Sequence, residues 1–370
     1  MKKFYLIFLV LLLFGSFSVS AFSGETNIDS YADEFSFDAF TESLSDEAVE
    51  ILSEMGIDEI SYSELFSVSP ENVLNVFFNV LSGSLKKPLY FCFAIFGVMF
   101  ITSVSCEISK LSETVSFIGT SLISLMLCVP VSTLVSTSVS VTNTVGNLIV
   151  SFCGVFCAIV SASGGTLGAV AFEGSFLFFN SVVSKFTELF SKPFINGMCS
   201  LAFFSCFDAF SFMSRTCEML KKTYIWFLGF TGMIFTSFVS LKTVLASGAD
   251  SVASKSIKFI VGKSVPVVGS TLSESYSSVM AGLSLIKSTV GVFGIISVAL
   301  TVLPTVLSLL CWMLSLNFVI AGAEAFSLKS VKGVLCVFKD VLSLLFSTVL
   351  FVSVVFIISA GVLITVKGGV

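Results

Sequence analysis

The chain has 370 residues, of which 55% are hydrophobic and 12% are charged, and its formal net charge is −5. A water-soluble globular domain of this composition could not cover its apolar core with polar side chains, so that class is excluded. The run from Ser288 to Ala323 contains no charged residue, and as a helix it exceeds the roughly 30 Å of hydrocarbon in a bilayer. The sequence therefore predicts an integral membrane protein.

Residues 1–21 have the pattern of a secretory signal peptide. Lys2 and Lys3 precede an apolar stretch that is short for a membrane span, and a run of small residues ends at Ala21. We expect cleavage after Ala21, which places the following segment outside the cytoplasm. The alternative is an uncleaved first membrane anchor.

Residues 22–87 are predicted to form an acidic, partly helical extracytoplasmic segment. Fourteen of the chain's 24 carboxylates lie between Glu25 and Glu71, a stretch that contains no Lys or Arg. One helix start is expected after Ser45 and another at Pro70. Such an acidic run is typical of a solvated surface, and binding of cations or a basic protein is the alternative.

Hydropathy predicts transmembrane helices within 88–249 and within 290–370. Seven spans are expected, near 88–106, 115–136, 145–163, 194–212, 224–246, 290–310 and 343–365. If the long apolar run folds back at Pro304, there are eight spans, and more Lys and Arg then lie on the cytoplasmic side. The predicted fold class is all-α: a polytopic integral membrane protein with about seven or eight transmembrane helices, preceded by the signal peptide and the acidic exported segment.

Residues 250–289 are predicted to form two amphipathic helices joined by a tight bend, on the bilayer surface or dipping into it. The bend contains Gly262, Pro266 and Gly269. Proline removes a backbone donor, and glycines permit unusual backbone angles, so these three are candidate functional residues. An interfacial loop without a transport role is the alternative.

Charged residues within apolar stretches are further candidates, because an ionisable group in hydrocarbon is costly and usually faces inward. Asp208 lies in the predicted fourth span, Lys242 lies near the end of the fifth, and Glu173 lies between two apolar runs. Each could line a conduit. Snorkelling to an interface or structural pairing is the alternative.

Glycine pairs within the apolar regions are expected to let helices pack closely. These pairs are Gly164 with Gly168, Gly229 with Gly232, and Gly291 with Gly294.

The absence of histidine excludes most enzyme classes. The chain has no histidine, so it cannot build His-based metal sites, His general bases or Ser-His-Asp triads. Its ten cysteines lie in or beside the predicted spans, where a small apolar role is expected. We expect no catalysis, no cofactor, no metal and no nucleic-acid partner.

Residues 258–291 carry the most recognisable pattern in the chain. It comprises the stretches Lys258–Gly262, Pro266–Gly269, Leu272–Ser273 and Leu285–Gly291, with supporting stretches at Ser69–Leu74 and Ser163–Gly165. These stretches resemble the stage III sporulation protein AE family, and the resemblance extends over nearly the whole chain.

The resemblance implies a multi-pass protein of endospore-forming bacteria, placed in the mother-cell membrane that surrounds the forespore. It implies an assembly of sister subunits, including ring-forming and ATPase components, that connects the two cells and sustains forespore development. The expected partners are the lipid bilayer and these sister subunits. Two alternatives remain: a self-sufficient permease or ion channel, and a non-conducting membrane scaffold that recruits partners through the acidic segment.

Overall fold

A computed structural model describes residues 46–54, 70–108, 112–162, 192–204, 215–238 and 269–365, together with a few residues between 173 and 185 and residues 240–241. Within the main ranges the chain forms seven helices, joined at one place by a short turn. The helices are α1 (Asp46–Glu54), α2 (Pro70–Ile108), α3 (Ser112–Ala162), α4 (Lys192–Phe204), α5 (215–238), α6 (Gly269–Ala325) and α7 (Lys329–Thr365). The predicted all-α class is confirmed for these residues.

Four of the described helices are long and apolar enough to cross a membrane. The qualifying stretches are Leu74–Ile108, Ser112–Ala162, Ser288–Ala325 and Lys329–Ile358. Several predictions fall outside the described residues, namely the signal peptide, Asp208, Lys242, Gly262 and Pro266.

Helix α3 joins two regions that the sequence predicts as separate spans, 115–136 and 145–163, in one uninterrupted helix. The stretch between them is rich in Ser and Thr, which lowers its hydropathy. Hydroxyls there bond the carbonyl one turn earlier, as Thr142 does to Ser138 at 2.8 Å and Thr144 to Ser140 at 3.2 Å. These two threonine hydroxyls are therefore satisfied without a turn.

The reversal predicted at Pro304 is wrong, because α6 continues through this residue to Ala325. The chain reverses instead at Ser327, whose φ is 58°. The Leu328 amide donates to the Ala323 carbonyl at 2.9 Å, and the Ser327 amide donates to Glu324 at 3.0 Å. These two bonds form a Schellman cap, with serine at the position that usually holds glycine.

The long helices pack side by side in alternating directions. Helices α2 and α6 run parallel, since Phe91 lies against Trp312 and, further along both helices, Phe100 lies against Phe326. Helices α3 and α7 run the opposite way. We call the end that holds the α2–α3 junction and the α6–α7 turn the hairpin end, and the opposite end the far end.

Two buried clusters fill the bundle. The hairpin-end cluster includes Met99, Leu127, Trp312 and Phe338, and the far-end cluster includes Phe152, Phe156, Phe293 and Phe356. The buried polar side chains of the described residues are all Ser or Thr. Several of these hydroxyls bond within their own helices, as those of Thr142, Thr301 and Ser353 do, whereas those of Ser124, Ser138 and Ser297 have no partner among the described residues.

Glycine permits close helix contact at several crossings. A Cβ added at Gly294 would lie 2.5 Å from the Phe152 ring, and one at Gly232 would lie 2.9 Å from Phe351. The predicted close packing is confirmed at these two glycines. It is wrong at Gly229, where a Cβ would meet no atom within 4 Å.

Candidate functional site

Three long helices each carry an internal proline, and two of these prolines line one cavity. The three prolines are Pro88 in α2, Pro130 in α3 and Pro304 in α6. The cavity has a volume of about 560 Å³ and is lined by both Pro130 and Pro304. Its size falls within the range of small-molecule sites.

One of the prolines, Pro88, frees a backbone carbonyl at this cavity. Proline has no N–H, so the carbonyl four residues earlier in the helix loses its usual donor. For Pro88 this carbonyl belongs to Ser84, which lines the cavity. Such a carbonyl in a membrane-embedded helix needs a hydroxyl, water or ligand as its partner.

The side chains of the cavity combine hydroxyls, one positive charge and an aromatic wall. The hydroxyls belong to Ser84, Thr133, Thr137, Thr305 and Ser308. Lys87 is the charged residue of the lining, and within the described residues it forms no ion pair. Phe91 and Trp312 form the wall, with ring centroids 5.4 Å apart.

The outer surface of α3 changes character at the level of the cavity. Toward the hairpin end its exposed side chains are large and apolar: Phe117, Ile118, Leu122, Leu125 and Val129. Toward the far end, exposed positions carry Ser132, Ser136, Ser140, Asn143 and Asn147. The cavity therefore lies at the boundary between an apolar and a polar stretch of the α3 surface.

A second polar feature connects α5 to α7. Lys221 and Asp340 form an ion pair at 2.5 Å, and each side chain is only 18% exposed. Near this pair, the Tyr224 hydroxyl lies 3.0 Å from that of Thr348 in a buried contact. Together these contacts fix the register of α5 along α7.

The neighbouring ion pair within α5 is of a different kind. Lys222 and Glu218 lie 2.8 Å apart on the surface, one helical turn from each other. A hydrogen bond from Lys222 lowers the pKa of Glu218, and the same bond raises the pKa of Lys222. Exposed pairs of this type contribute little to stability.

Comparison with known proteins decides the family. The family model for stage III sporulation protein AE matches residues 59–367, a stretch that includes every long helix and the cavity. The chain belongs to the stage III sporulation protein AE family. Its role is therefore in sporulation, and its apolar helices are those of a membrane protein.

A relative from Bacillus subtilis (strain 168), named stage III sporulation protein AE, is 25% identical over 212 residues. The alignment covers 56% of this chain and 52% of that relative, so it spans about half the relative's length. No solved structure matches the chain.

Few of the residues that the sequence singled out lie at the cavity of this stage III sporulation protein AE family member. Glu173 is exposed, lies near Cys157 and does not line the cavity. Gly269 is the first residue of α6. The structure thus brings none of the described candidates together with Lys87.

Sequence reasoning missed Lys87 and Asp340 for different reasons. Lys87 stands beside Lys86 just before a predicted span, and this position is typical of an interfacial charge. The signal that could have singled it out is the proline inside each of three long apolar stretches. Asp340 was missed because its ion-pair partner, Lys221, lies 119 positions away in sequence.

The cysteines of the described residues show no metal-like grouping. Nine described cysteines form no disulfide, and the described residues contain no cluster of three or more His, Cys, Asp or Glu that could hold an ion. Cys153 and Cys157 are both buried, with sulfur atoms 3.9 Å apart on successive turns of α3. Their surroundings are those of small apolar side chains in a packed core.

Proposed function

We propose that this chain is the membrane subunit of a channel or secretion complex that links mother cell and forespore and is required for forespore development. The observation that carries the proposal is the family match over residues 59–367, which includes all four helices of membrane-crossing length. The chain acts without catalysis of its own, and sister subunits supply any energy that transport requires. Its location is the mother-cell membrane around the forespore.

The charges of the bundle support a position for the bilayer. Lys87 and Glu107 are 20 residues apart on α2, which corresponds to about 30 Å of helix and to the thickness of the hydrocarbon layer. Between them, large apolar side chains are exposed: Tyr90, Phe93, Phe100 and Ile101. The stretch of α2 between these two charges therefore fits the hydrocarbon layer, with Lys87 at the membrane boundary.

The rest of the bundle extends beyond this layer. Helices α3 and α6 have 51 and 57 residues, which correspond to about 76 and 85 Å. From Ser132 to Asn147, the exposed positions of α3 are polar but uncharged. This half of α3 is the part that we assign to contact with sister subunits. Further predicted spans at 194–212 and 224–246 would complete the multi-pass domain.

A self-sufficient permease is the second candidate function, and the cavity is the observation that favours it. Its lining combines hydroxyls, a lysine and helical prolines near the membrane boundary. Polar sites in interrupted membrane helices are typical of transporters.

Two measurements separate these functions. Tagged protein from sporulating cells should co-purify with sister subunits, and the purified chain alone in liposomes should pass no ions or small solutes above protein-free controls. Robust flux through the isolated chain, with no subunits retained, would establish the permease instead.

The far-end surface of α3 gives this test a matched pair of variants. Replacing the exposed Asn143 and Asn147 with Arg should leave insertion intact and abolish co-purification with sister subunits. Replacing Leu122 and Leu125 with Phe on the apolar half of the same helix should leave both intact. Retention of all subunits by the Arg variant would overturn the assignment of this surface.

A further inference from the structure

We propose that the cavity between α2, α3 and α6 binds a small oxyanion, a carboxylate or phosphate monoester with an apolar body. The site is a property of the isolated chain, so it stands whether or not the chain belongs to a multisubunit channel. The argument rests on the charge, the hydroxyls and the aromatic wall of the cavity.

A positive charge lies at the cavity. Lys87 is the charged residue of the lining, and within the described residues no carboxylate pairs with it. Its side chain is exposed, so its ammonium is available to a ligand. An oxyanion in the cavity would give this ammonium a charged hydrogen-bond partner.

The hydroxyls supply further donors. Ser84, Thr137, Thr305 and Ser308 come from all three helices around the cavity. A hydroxyl can donate to an oxyanion from any of these positions, since its hydrogen rotates to suit the partner. The opposite charge, a carboxylate, does not occur in the lining, so the site favours an anion over a cation.

The aromatic wall defines the remainder of the ligand. Phe91 and Trp312 lie 5.4 Å apart and both face the cavity. A flat or short apolar group packs against such a wall while its anionic end reaches Lys87. The volume of about 560 Å³ accommodates a small molecule of this kind.

The chain contains its own reporter for this site. It has two tryptophans, Trp226 and Trp312. Trp226 is 67% exposed and stacks on Phe230 of α5. Replacing Trp226 with Phe leaves Trp312 at the cavity as the fluorophore. 4-Iodobenzoate is the probe, because its iodine quenches tryptophan fluorescence on close approach, and 4-iodobenzamide is its neutral counterpart.

We expect 4-iodobenzoate to quench Trp312 saturably in detergent-solubilised full chain. Lys87→Gln should weaken binding at least about ten-fold, while Lys87→Arg should retain most of it. Lys86→Gln is the matched control, since Lys86 is the adjacent exposed lysine and does not line the cavity. Circular dichroism of each variant shows that its helices are intact.

Three results would overturn the proposal: quenching that never saturates, equal quenching by the benzamide, or equal losses in the Lys86 and Lys87 variants. The anion could come from a free solute or from a lipid headgroup, and nanodiscs distinguish these sources. Displacement of the probe by phosphatidylglycerol, but not by phosphatidylcholine, identifies a lipid phosphate as the occupant. Undiminished binding in both lipids identifies a free solute.

Discussion

The Nζ atom of Lys221 lies 2.5 Å from a carboxylate oxygen of Asp340, so an ion pair connects α5 to α7 across 119 positions of sequence. Both side chains are largely shielded by the helices around them. The attraction between the two charges is stronger there than it would be in open water. Together with the contact between Tyr224 and Thr348, this pair holds α5 against the bundle.

Removing one member of this pair should destabilise the protein. Asp340→Asn leaves Lys221 partly buried without its counter-charge, and we expect a loss of about 1.5–3 kcal/mol in the free energy of unfolding. Denaturant titration in detergent, followed by circular dichroism, measures it. Glu218→Gln breaks the exposed pair on the same helix and should cause no measurable loss. Exchanging the two charges, Lys221→Asp with Asp340→Lys, should recover part of the stability.

Substitution of Gly294 should be harmful because its neighbour cannot move. The Phe152 ring that faces Gly294 is fully buried and packs against Phe156 and Phe356, with ring centroids 5.5 and 5.4 Å away. We expect Gly294→Val to cost about 1–3 kcal/mol through overpacking.

The matched control for this prediction is Gly154→Val. Gly154 lies in α3 beside the same cluster, yet a Cβ there would meet nothing within 4 Å. Gly154→Val changes helix propensity in the same way as Gly294→Val but creates no steric clash. Comparable thermal stability of the Gly154 and Gly294 variants would contradict the close packing of α6 on Phe152.

The two hairpin turns should lie on the same side of the membrane. Glu113 and Lys329 line one pocket at the hairpin end, whereas Glu71 lies at the far end of the bundle. In a Cys-free background, Glu113→Cys and Lys329→Cys should react with an impermeant maleimide from one face, and Glu71→Cys from the other. Leu125→Cys, on the apolar surface, should stay unlabelled. Labelling of positions 113 and 329 from opposite faces would reject this arrangement.

The bend before α6 should matter more for function than for insertion. Gly262→Val, Pro266→Ala and Gly269→Val together remove its permissive backbone positions and restore a backbone donor. The sequence predicts this bend between amphipathic segments, so we expect insertion not to depend on it. We expect near-normal membrane levels with failure of forespore maturation, measured as heat-resistant spores. Normal sporulation would show that the bend is only a connector.

Composition predicts the class of this fold because a chain this apolar has few alternatives to membrane helices. Helix ends are harder to predict. The interval between 136 and 145 resembles a loop in hydropathy, but its hydroxyls bond their own helix and α3 continues. Proline is also an unreliable sign of a helix end. Pro304 removes one backbone hydrogen bond, yet α6 continues through it because neighbouring helices pack against α6 on both sides of this residue.

The candidate site was less accessible to sequence reasoning than the fold. A cavity forms where residues of separate helices meet, as Lys87, Thr133 and Thr305 do, and a single sequence does not show which helices are neighbours. Glu173, the described residue among the charges that hydropathy emphasised, does not line the cavity. The pattern that was present, one proline within each of three long apolar stretches, acquires meaning once those stretches are seen to pack together.

Helix α3 carries no charged residue from Thr114 to Ala162, so no side chain of its own sets its depth in the bilayer. A helix without a charged residue over this length could slide along the membrane normal at little electrostatic cost. Contacts with its neighbours must fix its position, and two of them act at opposite ends: Thr102 against Gly119, and Phe152 against Gly294. The position of α3 along the membrane normal is thus set by its contacts with α2 and α6, which carry charged residues that can anchor at the membrane boundary.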